Sequence, residues 1–119
     1  MSLTGDLANE IAKAMAEYSE EIEDKIDLIA EDVVNEAVNE LKATSPKRHG
    51  KYARNWRFKK NAKGSYVIYN AAPTYRLTHL LENGHILRNG GRSRSFKHIK
   101  PVEEKVKENF EKRIKELGR

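Results

Sequence analysis

Tyr52-Ala53-Arg54-Asn55-Trp56-Arg57-Phe58-Lys59-Lys60-Asn61-Ala62-Lys63-Gly64-Ser65-Tyr66-Val67-Ile68-Tyr69 decides the fold class, because here the helical period of the chain gives way to alternation. Tyr52, Trp56 and Phe58 fall on one face, with Arg54 interrupting and Ala53, Asn55 and Arg57 opposite. Lys59 to Gly64 has the composition of a turn, and residues 66–69 are β-branched and aromatic. The segment therefore predicts an antiparallel hairpin between helical flanks.

Upstream, Leu7, Ile11, Met15, Tyr18, Ile22, Ile26, Ile29, Val33, Ala37 and Leu41 recur in steps of three and four, the stripe of one amphipathic helix. Nothing inside it is Gly or Pro, Asp6 suits an N-cap, and Ser45 before Pro46 is steered out of the α region. A helix over 6–44 would be a rod of roughly 55 Å, longer than its own core requires. Part of it is expected to pack on a neighbouring subunit or on another segment folded along it. Downstream, Pro73 opens a short helix over 74–83 with Leu77, Leu80 and Leu81 as its apolar face and Gly84 as C-cap. Ile86-Leu87-Arg88 reads as a brief strand, and 88–97 as a flexible basic loop. Pro101 then starts a last helix over 101–117, striped by Val102, Val106, Phe110, Ile114 and Leu117. Glu103 and Glu104 fall in its first turn and Lys112, Arg113 and Lys115 in its last, as the helix dipole favours. The expected architecture is α+β: a long N-terminal helix, a small antiparallel sheet with an inserted short helix, and a C-terminal helix. At 119 residues, 1–119 is expected to form a single domain, with a basic β-rich body over 50–100.

Charge divides the chain more sharply than its net +5 implies. Residues 1–41 hold twelve carboxylates against two lysines, while 42–119 hold twenty-one Lys and Arg against six glutamates. An acidic rod and a basic body can pair between copies, or the body can meet nucleic acid. The absence of cysteine excludes thiol catalysis, disulfides and thiolate metal sites. Mean hydropathy is −0.82, no apolar run is long enough to span a bilayer, and no secretory signal is expected.

Catalytic and metal chemistry has few carriers. His79 and Glu82 are neighbours at helical spacing and His85 follows, a set that would need to converge to hold zinc. The spacing is not that of a His-Glu-x-x-His helix, and the ordinary reading gives His79 and His85 local hydrogen bonds. His98 precedes the last helix without a partner acid in the sequence, and His49 lies in a basic turn. No nucleophile elbow or phosphate-binding glycine loop occurs. No enzyme, cofactor or metal is expected. Arg88, Arg92, Arg94 and Lys97 remain as a candidate loop for touching a partner protein or DNA. Trp56 and Phe58, flanked by Arg54, Arg57, Lys59 and Lys60, are needed for the core before any base stacking.

Residues 72–85, with Tyr75, Arg76, His79, Leu80, Glu82, Gly84 and His85, read much like the pattern tYRltHLlE-GH. Ser45-Pro46 with Gly50-Lys51-Tyr52-Ala53 and Trp56 matches a block upstream of it, and His98-Ile99 with Pro101 matches one downstream. In this order the blocks resemble the phage tail-component family typified by gene product ten of the lambdoid phage HK97. His49 stands where that family usually has Thr, and Ser95-Phe96-Lys97 where a small residue and Pro precede His98. The resemblance implies a non-catalytic structural subunit of a tailed phage or prophage, joining head and tail or completing the tail. It implies ring-forming contacts with copies of itself and with head-completion, tail-tube or tail-terminator proteins. It also implies a place in the virion after assembly in the host cytoplasm, with non-specific DNA contact possible and no membrane. From charge alone, a small basic nucleic-acid-binding module is the alternative, and a nuclease with converging His79, Glu82, His85 or His98 is a third.

Overall fold

A computed structural model describes residues 5–18, 20–47, 50–84 and 86–117. Its helices are α1 (Gly5–Glu17), α2 (Glu20–Thr44), α3 (Gly50–Arg54), α4 (Leu77–Asn83) and α5 (Ile99–Leu117). The strands are β1 (Trp56–Ala62) and β2 (Ser65–Asn70), and a 3₁₀ turn, Thr74–Arg76, leads into α4. The α+β architecture is the expected one. The single N-terminal rod is not: the helix breaks after Glu17, and the two pieces do not run on in line.

One turn of the hairpin proves the fold-back. The Gly64 N–H donates to Asp27 Oδ1 of α2 at 2.8 Å, while its Cα faces Met15 and Ile11 of α1. In a continuous helix residues 11 and 27 would lie about 24 Å apart. Here both reach the same glycine, so α1 returns beside the first part of α2. The apolar stripe survives the break: Leu7, Ile11, Ile26, Val33, Ala37 and Leu41 are buried, with Met15, Tyr18, Ile22 and Ile29 packed at the margin. Folding back lets α5 cover α1 and α2 together, so the surplus length is buried within the chain. The helix begins at Gly5, which places Asp6 inside it rather than at the cap.

The hairpin forms as expected, with shifted ends. β1 pairs antiparallel with β2 in a register that sets Trp56 opposite Asn70, Phe58 opposite Ile68 and Lys60 opposite Tyr66. Alternation then puts Trp56, Tyr66 and Ile68 into the core and Arg57 and Lys59 on the open face. The strand extends through Ala62, with a register irregularity between Lys60 and Ala62, so the turn shrinks to Lys63-Gly64. Gly64 has φ +77°, a conformation in which a side chain is strained. Tyr52 and Ala53 are not strand residues. They are the buried side of α3, and Tyr52 meets Trp56 edge-on with ring centroids 5.7 Å apart.

Asp27 is the buried charge of this sheet–helix contact. It accepts from Gly64 N–H, from the Tyr66 hydroxyl at 2.9 Å and from the Lys60 ammonium, which reaches inward from β1. Burial acts to raise its carboxyl, but these three donors prevail and hold it below its ordinary 3.8. At the other end α5 begins at Ile99, two residues before the expected start, so Pro101 is its third residue. Glu103 and Glu104 are therefore outside its first turn, and of the expected basic trio only Lys115 lies in the last. Val102, Val106, Phe110 and Ile114 are buried as expected. Ion pairs seal α5 on α2, Arg113 to Glu36 at 2.6 Å and Lys105 to Glu40 at 3.2 Å.

Candidate functional site

The short helix α4 was expected to bury leucines, and it buries Thr78 and Glu82 instead. Leu77 and Leu81 are half-buried, while Leu80 is 40% exposed. The reason lies in Glu82. Its Oε1 accepts the backbone N–H groups of His98 at 2.8 Å and Ile99 at 3.0 Å, and Oε2 accepts that of Lys100 at 3.3 Å. These are donors at the start of α5, where a helix has no partners of its own and carries positive partial charge. Burial pushes the Glu82 carboxyl up, yet the three N–H groups and His98 outweigh it and hold it below 4.5.

His98 extends this joint. Its Nδ1 lies 2.6 Å from the Phe96 carbonyl and 3.0 Å from Glu82 Oε1, both pure acceptors, so Nδ1 carries the proton. Its Nε2 shares a hydrogen bond with the Tyr52 hydroxyl at 2.8 Å. Burial drives the Tyr52 phenol up to about 12; the Thr78 hydroxyl opposes this and the Glu82 charge adds to it. Trp56 lies against both rings and donates its Nε1–H to Ser45 Oγ at 2.8 Å. A second chain of bonds continues beside it: Asn55 Nδ2 donates to Thr74 Oγ1, Thr74 to Asn70 Oδ1, and Asn70 Nδ2 to the Tyr52 carbonyl. No buried side-chain polar atom among the described residues lacks a partner. Ser45, Tyr52, Trp56, Glu82 and His98, drawn from the separate sequence blocks, thus form one satisfied network. It joins α2, α3, β1, α4 and α5.

These bonds fix the positions of the elements that they join. His79 is exposed while Glu82 turns inward, so the two do not converge, and His85 lies outside the described residues. Among the described residues no group of His, Cys, Asp and Glu is arranged to hold a metal ion. The cleft between α2 and α5 is lined by Glu36, Asn39, Glu40, Lys105, Val106 and Asn109, an ion-pair seam. Among the described residues no helix is long and apolar enough to cross a membrane.

What the joint positions is an exposed end. Gly84, at φ +72°, stops α4, and a Cβ there would sit 2.6 Å from the Ser93 carbonyl, so the returning chain can approach closely. The strand expected at 86–88 reduces to a single bridge between Ile86 and Arg92. Inside it, Leu87 N–H donates to the Gly91 carbonyl at 2.6 Å, and Gly90 N–H to that of Leu87 at 3.0 Å. Phe96 N–H returns to the Leu81 carbonyl at 2.7 Å. Tyr75, Leu80, Ile86, Leu87 and Phe96 are large apolar side chains left exposed here, Ile86 by 71%. Arg76, Arg88, Arg92, Arg94 and Lys97 are exposed among them, with Arg76 over the Tyr75 ring and Arg94 over that of Phe96. Lys97 donates to Asn83 Oδ1 at 3.1 Å, and Pro101 is exposed on α5. The basic residues were legible in the sequence; the exposure of Leu80 was not, because a leucine at helical spacing reads as core, nor was that of Ile86 and Leu87, which read as a strand.

Against known proteins, the model of the family described as "Bacteriophage HK97-gp10, putative tail-component" matches residues 9–84, which include α2, the hairpin and α4. No curated protein and no solved structure matches the chain.

Proposed function

From the premise that the chain belongs to the HK97-gp10-like family, we propose that it is a structural virion protein of a tailed phage or prophage. It joins head to tail, or completes the tail, through contacts between subunits and without catalysis. One observation carries this reading: a fully bonded buried joint holds out an end that is both apolar and basic. Five large apolar side chains at one end of a small chain are a recognition surface rather than scattered exposure. Its partners are copies of itself and the head-completion, tail-tube or tail-terminator proteins beside it. Its place is the virion, after assembly in the host cytoplasm.

The test uses a prophage that carries the gene. Deleting it should leave heads and tails that do not form joined particles by electron microscopy, and the wild-type gene should restore them. A variant with Arg88, Arg92 and Arg94 all replaced by Ala should fold normally and fail to restore joining. Normal particles without the gene would overturn the reading. A second reading, a basic nucleic-acid-binding module, draws on the arginines stacked over Tyr75 and Phe96. It predicts that the isolated chain binds duplex or single-stranded DNA with a steep salt dependence.

A further inference from the structure

We infer that the apolar and basic end of one copy docks on the acidic face of α2 around Leu28 in a second copy, head to tail. The inference rests on the virion-subunit reading and names the contact that reading requires.

Most of the acid on α2 is already spent within the chain. Glu23 and Asp24 face Lys63, Asp27 faces Lys60, Glu36 faces Arg113 and Glu40 faces Lys105. Glu31 and Asp32 are exposed and form no ion pair among the described residues. They lie three and four residues after Leu28, on the same helix face. Leu28 is 62% exposed, a large apolar side chain standing out of an amphipathic helix whose other face is core. A free acidic pair beside an apolar knob is the complement of the other end. There Arg88 and Arg94 have no carboxylate partner among the described residues, and Ile86 and Phe96 are exposed next to them.

The two patches are set apart along the molecule. Leu28 lies sixteen residues before the end of α2, about 24 Å along the helix, whereas the basic end joins α5 at its first turn, beside the end of α2. The two patches lie toward opposite ends of a body 58 Å long and 21 Å across, so one chain does not close them on itself. A two-fold contact between antiparallel copies would also bring each basic end onto the other copy's Leu28 face, but it closes as a dimer and goes no further. Head to tail, the same match of opposite charges around an apolar centre repeats from copy to copy, and the contact closes into a ring or runs on as a filament.

Two charge-reversed variants of the full chain test this. One carries Glu31→Lys and Asp32→Lys, the other Arg88→Glu and Arg94→Glu; all four positions are exposed, and circular dichroism should show both folded. By native mass spectrometry at low salt the wild type should form oligomers larger than a dimer and each variant alone should stay monomeric. Mixed, they should assemble again, because the intact basic end of one meets the intact acidic face of the other and the two reversed patches also carry opposite charges. A wild type that is monomeric up to millimolar concentration or stops at a dimer, or variants that alone assemble as it does, would overturn the inference. So would a mixture that stays monomeric. If deletion of the gene blocks particle joining while both variants restore it, this contact is wrong and the function stands.

Discussion

The Glu82 carboxylate does for α5 what an N-cap side chain does for its own helix, but from another element and with a full charge. Replacing it by Ala leaves buried N–H groups unpaired, so Glu82→Ala should cost about 3 kcal/mol in urea unfolding. Glu82→Gln keeps an acceptor without the charge and should cost about half as much. Acid acts through the same groups. The carboxyls of Glu82 and Asp27 are held below their ordinary 4.5 and 3.8, so the folded state binds fewer protons than the unfolded one there. Their stabilisation is complete above those ordinary values and is lost as pH falls through the lower folded ones. The unfolding midpoint should drop on acidification below about pH 4.5, and less steeply in Glu82→Gln. In alkali the phenols govern. Tyr52 and Tyr66 are raised from 10.0 to about 12, for Tyr66 by burial first and then by Asp27. Their contribution is full below pH 10 and is lost toward pH 12, and Tyr52→Phe should remove part of that alkaline loss. None of this was legible at Glu82 itself, since a Glu three residues after a His on a short helix reads equally as ligand or surface. Its partners are backbone N–H groups sixteen to eighteen residues on, which no side-chain pattern announces.

At the level of elements, period and turn chemistry found every long segment, and the misplacements share a cause. The stripe from Leu7 to Leu41 keeps its phase across the break at residue 18, so periodicity could not show two helices. The available signal was Ser19 followed by Glu20 and Glu21, the composition of a helix start. Tyr52 at four residues before Trp56 fits a helical step as well as an alternating one, and contact with His98 decided for α3. The α1 fold-back gives a test. Gly64 and Gly90 both have positive φ, at +77° and +87°, so an alanine strains each by roughly 1 kcal/mol. A Cβ at Gly64 also meets Met15 at 3.3 Å, whereas at Gly90 it meets nothing within 4 Å. Gly64→Ala should therefore lower the unfolding midpoint more than Gly90→Ala. Pairing Gly64→Ala with Met15→Ala should recover part of the excess. Equal effects at both glycines would mean that α1 does not press on the hairpin turn.

For the whole molecule, the split between acidic and basic segments was plain in the sequence, but not how far the fold would use it up. Ion pairs from α2 to α5 and to the hairpin neutralise much of the acid internally, leaving Glu31 and Asp32 to face outward. The two uses of charge respond differently to salt. The α2–α5 pairs are exposed and lie over a core built from Val33, Val106 and Phe110, so each is worth at most about 1 kcal/mol. Screening them should move the urea midpoint little. In the contact proposed between copies, the same kind of charge would act across a gap and steer encounter, and its reach falls from about 10 Å at 0.1 M salt to about 3 Å at 1 M. Raising salt about tenfold, from roughly 0.05 to roughly 0.5 M, shortens that reach about threefold and should thus dissociate oligomers while leaving the fold near its original stability. Sedimentation velocity and urea unfolding on one salt series give both readings. Unfolding that tracks dissociation would mean that the subunit's own core, not its surface charge, depends on the neighbour. Oligomers that persist at high salt would place the binding energy in Leu28, Ile86 and Phe96, with the charges setting only direction and rate.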